Sequence, residues 1–320
     1  MTERNITIYC VLIIFLFANY GCIEKSGKTE PDSKNKFIDT VLNYRLNKLS
    51  FTMPEKLKEN SGLIYYRDVL WTMEDAGGKP KIYTINTKSG KIKQTIKLLD
   101  SENNDWEDIT QDEKYIYIGD FGNNDGHKSV LRIYKISKNT IPWKGNFDVE
   151  SELIEFSYPE QNDLRPRFHQ TNFDCEALIS KGDSLYLFTK NWIDNKTNVY
   201  SLPKEKGSYL ANFCGNFDVR GLISGAGISS DEKRIILCGH QEKLPFIWYL
   251  SDFTGNNFFS GNKIRLNLTF LFGVQTEGIC FMNNNNIFLS NEKSVIPSSL
   301  YTTSVEQILE SIGLNIKEKI

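Results

Sequence analysis

An all-β fold, a five-bladed β-propeller closed by an N-terminal strand, is what this 320-residue chain predicts, on three observations. A short phrase returns five times at the head of an alternating apolar run: Ser61-Gly62-Leu63, Glu107-Asp108-Ile109, Glu176-Ala177-Leu178, Ala226-Gly227-Ile228 and Glu277-Gly278-Ile279. Its first positions are spaced by 46, 69, 50 and 51 residues, and a β-rich period of about 40–50 residues belongs to propeller blades. Aromatic residues make up 12% of the chain and Asn-rich turns are frequent, which suits a pleated, half-buried surface. A β-sandwich or two tandem β-domains would also show short strands and regular turns. Neither explains one phrase recurring at the first strand of every unit.

At the N-terminus, Ile6 to Ala18 form an apolar stretch of 13 residues behind Arg4, closed by Gly21-Cys22. That length is too short to span a bilayer as a helix. Residues 1–22 read as a secretory signal of the bacterial lipoprotein kind, with Cys22 the acylated first residue of the mature chain. Plain secretion and an uncleaved anchor are the alternatives. Residues 23–43, polar from Glu24 to Lys36, read as a flexible tether. The expected protein is exported and membrane-anchored, periplasmic or at the cell surface, and touches the membrane through its lipid only. A monomer is expected. The formal net charge of −2, with no long basic run, argues against nucleic acid as a partner. Cys175, Cys214, Cys238 and Cys280 show no spacing framework and read mostly as small buried hydrophobes, with one disulfide as an alternative.

The propeller occupies residues 44–305. Alternation and turn signals place strands at 62–66, 69–75, 81–87 and 92–99 in the first blade. The second has 106–112, 115–121, 130–136 and 153–159. The third has 173–180, 184–191, 198–203 and 208–218, and the fourth 223–229, 234–240, 246–253 and 262–268. The fifth has only 273–282, 286–292 and 299–305, and a strand near 44–52 remains to complete it, which closes the ring and protects its seam. Five blades follow, or six if the N-terminal segment holds another. Residues 306–320 have helical spacing and form a peripheral tail.

Strand order then gathers the chemistry on one face. The starts of the inner strands and the ends of the second strands share that face, because neighbouring strands run antiparallel. The second strands end on Glu74-Asp75, Gly119-Asp120, Lys190-Asn191, Gly239-His240 and Asn291-Glu292, before Gly-, Asn- or Pro-rich loops that carry function on a rigid scaffold. The 69-residue interval arises from an insert around 158–172 on the same face, which brings Arg165, Arg167 and His169 towards the mouth as candidate anion contacts. Trp192, just beyond a second strand, is a candidate stacking surface, and His240 a further substrate contact. Trp71, Trp143 and Trp248 read as core.

Ser61, Glu107, Glu176 and Glu277 converge on the axis, where like carboxylates repel. A bound divalent ion resolves that conflict, and oxygen-only donors favour Ca²⁺ over Mg²⁺. Ala226 stands where a further ligand is expected, with Ser224, a carbonyl or water as substitute. The three histidines lack zinc-motif spacing. The bland alternative is that inner-strand carboxylates accept backbone amides or pair with Lys and Arg. Asp75 and Asp120 are candidate general bases, or else turn caps.

On these residues the chain resembles the calcium-activated nucleotidases, or apyrases. Ser61-Gly62-Leu63 with Leu70-Trp71-Thr72-Met73-Glu74-Asp75 is similar to that family's first blade. Trp106-Glu107-Asp108-Ile109 with Tyr115-Ile116-Tyr117-Ile118-Gly119-Asp120 is similar to its second. The resemblance implies five blades around a central Ca²⁺ held by Ser and Glu at inner-strand starts. The Glu-Gly-Ile and Glu-Ala-Leu phrases also resemble phytase-like esterases and gluconolactonase-type propellers. The expected function is a Ca²⁺-dependent hydrolase of a small anionic substrate, a phosphate ester, anhydride or lactone. The competing expectation is a non-enzymatic surface module that binds a glycan, peptide or protein partner.

Overall fold

The computed structural model describes residues 37–314. The signal segment, Cys22 and most of the expected tether lie outside the described residues. Five sheets form five blades, each built on four antiparallel strands, and the inner strand of each is Asn60–Tyr66, Trp106–Gln111, Asp174–Lys181, Leu222–Ile228 or Thr276–Phe281. Apolar side chains concentrate between blades. Trp71, Ile82 and Ile96 of blade 1 pack on Ile116 and Ile118 of blade 2. Ile133 and Ile154 meet Leu178 and Leu187, and Phe188 meets Leu237 and Trp248. Ile236 and Ile264 meet Ile279 and Leu289, and Phe288 and Leu300 return to Leu63 and Leu70. Five interfaces close the ring, so the six-blade alternative falls away.

The N-terminal strand Asn47–Thr52 pairs antiparallel with Ser299–Ser304 and completes the fifth blade, as expected. Its predecessor departs from expectation. Asp39–Asn43, inside the expected tether, is a strand that pairs parallel with Asn262–Asn267 on the outside of blade 4. Two other segments do the same. Phe147–Val149 lines the outside of blade 1, and Gly207–Leu210 that of blade 2. Each lies directly before the outer strand of the next blade, so the chain stitches one blade's edge before entering its neighbour's. The expected single strand at 208–218 is therefore two, Gly207–Leu210 on blade 2 and Asn212–Phe217 on blade 3. Covering an outer edge in this way removes unpaired N–H and C=O groups that would otherwise template aggregation.

The recurring phrase has a local cause at each position. In four blades the ladder skips one residue of the inner strand, and the skipped residues are Glu107, Glu176, Ser224 and Glu277. A β-bulge re-aims the extra residue. In blade 1 the register jumps between Ser61 and Ile64. The blade 4 equivalent is thus Ser224, and Ala226 lies two residues beyond it. The second position is small where inner strands nearly touch. A Cβ on Gly62, which has φ 60°, would lie 2.7 Å from Ile109 N. A Cβ on Gly225 would lie 2.6 Å from Glu277 O. The third position is core: Leu63, Ile109, Leu178 and Ile279 are buried.

The tail forms the helix Val305–Ser311, capped by Ser304, whose side chain accepts from Gln307 N. Trp71, Trp106 and Trp248 are buried. Trp143 is not core: it is 73% exposed, with the Arg67 guanidinium 4.1 Å from its ring centre. The four described cysteines are free, three of them buried. No helix among the described residues is long and apolar enough to cross a membrane.

Candidate functional site

The register puts the second-strand ends beside the inner-strand starts, as strand order requires: Glu74 faces Asn60, Asp120 faces Trp106, Lys190 faces Asp174, and His240 faces Leu222. The bulged Glu107, Glu176 and Glu277 are buried there. So is a cation that sequence reasoning missed. Lys190 Nζ lies 3.1 Å from Glu176 Oε1. Burial pushes the Lys190 ammonium down, but Glu176, Glu277, Asp174 and Glu107 outweigh it and hold it charged. The sequence places Lys190 at a second-strand end on this face but does not single it out as the partner of the ring.

One lysine does not neutralise the mouth. Oxygen atoms of Asp75, Asp105 and Glu107 come within 4.8 Å of one another. Asp105 pairs with Lys128 at 2.7 Å. Burial, then the surrounding carboxylates Glu176, Asp75, Asp105 and Asp174, raise Glu107 well above its ordinary range. Burial raises Asp75 to about 6, opposed by the Ala76 N–H. Burial likewise raises Glu277 to about 7 against the pull of Lys190. Glu292, marked in the sequence only as a second-strand end on this face, is raised to about 9 by burial and by Glu277 and Asp75. Asp174 accepts from the Asn123 backbone N–H and, at 2.8 Å, from Trp192 Nε1.

Two carboxylates have structural occupations. Asp108, the phrase's second residue, is buried at the axis and accepts backbone N–H groups from three blades: Ile109 at 2.8 Å, Leu178 at 2.8 Å and Ala226 at 3.2 Å. Burial pushes its carboxyl up, and those three donors pull against it. This is the bland alternative realised, one residue along from the glutamates. Asp120 accepts from Asn104 N, Asn104 Nδ2 and Asp105 N at 3.1, 2.9 and 2.7 Å. It therefore shapes the loop that presents Asp105, and Asp75 remains of the two aspartates singled out as bases. Ser61 is buried, and its carbonyl accepts from Thr72 Oγ1 at 3.2 Å.

The insert brings its residues to two places. Arg165 and Arg167 both bind Asp163, through Nη2–Oδ2 contacts of 2.6 and 3.0 Å, and line a cavity of about 550 Å³ beside Phe173, Tyr200 and Phe213. Their forks are thus occupied by an aspartate of the same loop. His169 stacks on Trp192, ring centres 3.4 Å apart, close enough to the mouth that Lys190 helps burial lower its pKa. His240 is lowered to about 4 by burial and Lys190, and its Nδ1 is buried without a partner. It is neutral at pH 7.

No protein-family model matches the sequence, and no curated protein matches it. Solved structures do resemble the fold. The luciferin-regenerating enzyme aligns over 80% of this chain and 94% of its own, at 10% identity and a TM-score of 0.43. A 6-phosphogluconolactonase candidate from Bacteroides uniformis aligns over 81% and 70%, at 10% identity and 0.41. The propeller of Swd1 from Myceliophthora thermophila aligns over 77% and 97%, at 9% identity and 0.38. The chain's own five sheets make it a β-propeller.

Proposed function

We propose that the mouth binds a divalent cation, Ca²⁺ by its oxygen-only donors, and hydrolyses a small anionic ester, anhydride or lactone. The observation that carries this is the convergence of Asp75, Asp105 and Glu107 within 4.8 Å, in a mouth where Glu277 and Glu292 are also pushed up. Buried like charges need a proton or a cation. The local fit supports a cation: a Cβ on Gly122 would lie 2.2 Å from Glu107 Oε1 and 2.5 Å from Asp105 Oδ2, so glycine alone leaves the carboxylates room. The ligand set is accordingly Asp75, Glu107 and Asp105, the last shared with Lys128, while Glu176 stands outside this cluster and pairs with Lys190. When bound, such an ion polarises a phosphoryl or carbonyl oxygen.

The chain's own groups complete the chemistry. Glu277, near 7, is suited to take a proton from the attacking water, and Glu292, near 9, to return one to the leaving oxygen. The Lys190 ammonium stabilises charge that develops on the substrate. The likeness to apyrases, phytase-like esterases and gluconolactonases agrees with this reaction class. The test is turnover of a panel of phosphate esters, anhydrides and lactones, with Ca²⁺ and with chelator. Turnover that needs the ion and falls roughly 100-fold or more in Glu277→Gln is expected. Turnover insensitive to chelator overturns the role of the ion, and no turnover overturns the enzyme. The second reading, a binding module, is favoured by Asp108, which joins three blades without any ion. It predicts no turnover in the panel.

A further inference from the structure

The insert at 158–172 forms one wall of a second cavity, which neither Lys190 nor any carboxylate of the mouth lines. That wall is held in place from two sides. On the blade 2 side, Gln161 Nε2 donates to Gly126 O at 2.8 Å, and the backbone N–H groups of Arg167 and His169 donate to Asp125 O and Asn124 O at 2.9 and 3.0 Å. On the blade 3 side, Trp192 N donates to Thr171 O at 3.0 Å and Ile193 N to Asn172 Oδ1 at 3.1 Å. The opposite wall is blade 3 itself, with Tyr200 on the strand Thr197–Pro203 and Phe213 on Asn212–Phe217. The space between them is about 550 Å³, within the range of small-molecule sites.

The charges in the lining already have partners. Arg165 and Arg167 share Asp163. The Tyr200 hydroxyl donates to Glu160 Oε2 at 3.4 Å, and Asp125 reaches solvent 4.0 Å from His127 Nδ1. No buried charge is left for an ionic ligand to neutralise. What stays open is neutral. The Gln170 side-chain amide and Asn172 Nδ2, both in the lining, make no protein hydrogen bond among the described residues. Beside them lies aromatic surface: Phe173 is half-buried, and Phe213 packs edge-on against Tyr200 with ring centres 5.5 Å apart while 46% exposed. A hydroxyl donates and accepts at once, so it satisfies either end of an amide, and apolar C–H surface covers an exposed ring.

We propose that this cavity binds a neutral saccharide of one or two rings, its hydroxyls on Gln170 and Asn172 and its C–H face against Phe173 and Phe213. A pyranose ring carries both surfaces on one small body, and the cavity presents both partners. The proposal stands apart from the cation and the hydrolysis proposed for the mouth, since the two sites share no residue.

The test is saturation-transfer NMR on the full chain with the methyl glycosides of glucose, galactose, mannose and N-acetylglucosamine, and with benzoate as the anionic comparison. At least one glycoside is expected to receive saturation on its ring C–H protons. Its affinity, read by titration, should fall about fivefold or more in Phe213→Ala and in Gln170→Ala, and be kept in Phe213→Trp. Both positions are exposed, and an unchanged Tm would show that the variants fold. Binding of no glycoside, glycoside binding that survives both alanine variants, or benzoate binding more tightly than every glycoside overturns the proposal. Glycoside binding should be the same in Ca²⁺ and in chelator, so failure here leaves the reading of the mouth standing; binding that needs Ca²⁺ overturns the separation of the two sites.

Discussion

Asp108 shows how much one side chain can hold at the axis of a ring. Its carboxylate ties blade 2 to blades 3 and 4 through backbone N–H groups of Leu178 and Ala226. Asp108→Ala leaves buried donors unsatisfied, at about 1–3 kcal/mol each. A loss of about 3 kcal/mol or more in chemical denaturation is expected, whereas Glu107→Gln, which relieves repulsion, should leave stability unchanged or raise it. Equal losses in both variants would refute the separation of pin from site. The raised acids give a pH dependence with a definite sign. Asp75, Glu277 and Glu292, raised to about 6, 7 and 9, keep protons in the folded chain that the unfolded chain releases near the ordinary 3.8 to 4.5. Between those limits the native state binds more protons, so stability falls as pH rises through the window and levels above it. Thermal unfolding in chelator should therefore show Tm declining from pH 5 to pH 9. Ca²⁺ should offset the decline progressively, because its ligands must be deprotonated. A flat profile would mean that these groups are not buried together.

At the scale of elements, the repeat phrase was legible because each of its positions answers a separate physical demand: a bulge, a close approach and a core contact. Gly62 carries two of these at once. Gly62→Ala forces a left-handed residue and a Cβ 2.7 Å from Ile109 N, and roughly 1–3 kcal/mol of strain is expected from the backbone alone. Denaturant midpoints would measure it, and a neutral substitution would contradict the packing at the axis. Other elements were not legible. The phrase match at Ala226 misses the bulge at Ser224 by two residues, because Ser224-Gly225-Ala226 and Ala226-Gly227-Ile228 both satisfy an alternating small-and-apolar pattern. Phe147–Val149 and Gly207–Leu210 are too short for alternation to mark them. Asp39–Asn43 has only its partner Asn262–Asn267 to make it a strand. Lys190 and Glu292 are legible only as second-strand ends on the shared face, and Asp105 carries no signal at all, because their partners meet only in the folded ring.

At the scale of the molecule, closure joins the two ends of the described chain. Asp39–Asn43 seals blade 4 and Asn47–Thr52 completes blade 5, so removing residues 37–52 uncovers two sheet edges and part of the core around Leu46. Loss of cooperative unfolding, with aggregation, is expected for that deletion in a thermal melt. Retention of a sharp transition would show that the ring closes without its N-terminal strands. The face that closure creates is where Asp75, Asp105 and Glu107 meet. Calorimetric titration of Ca²⁺ into the chelator-stripped chain tests the proposed cation site most directly. One site is expected, abolished in Glu107→Gln and in Asp75→Asn and retained in Asp120→Asn. Absence of binding, or a site indifferent to Glu107 and Asp75, would contradict it and leave Lys190 as the cation of the ring.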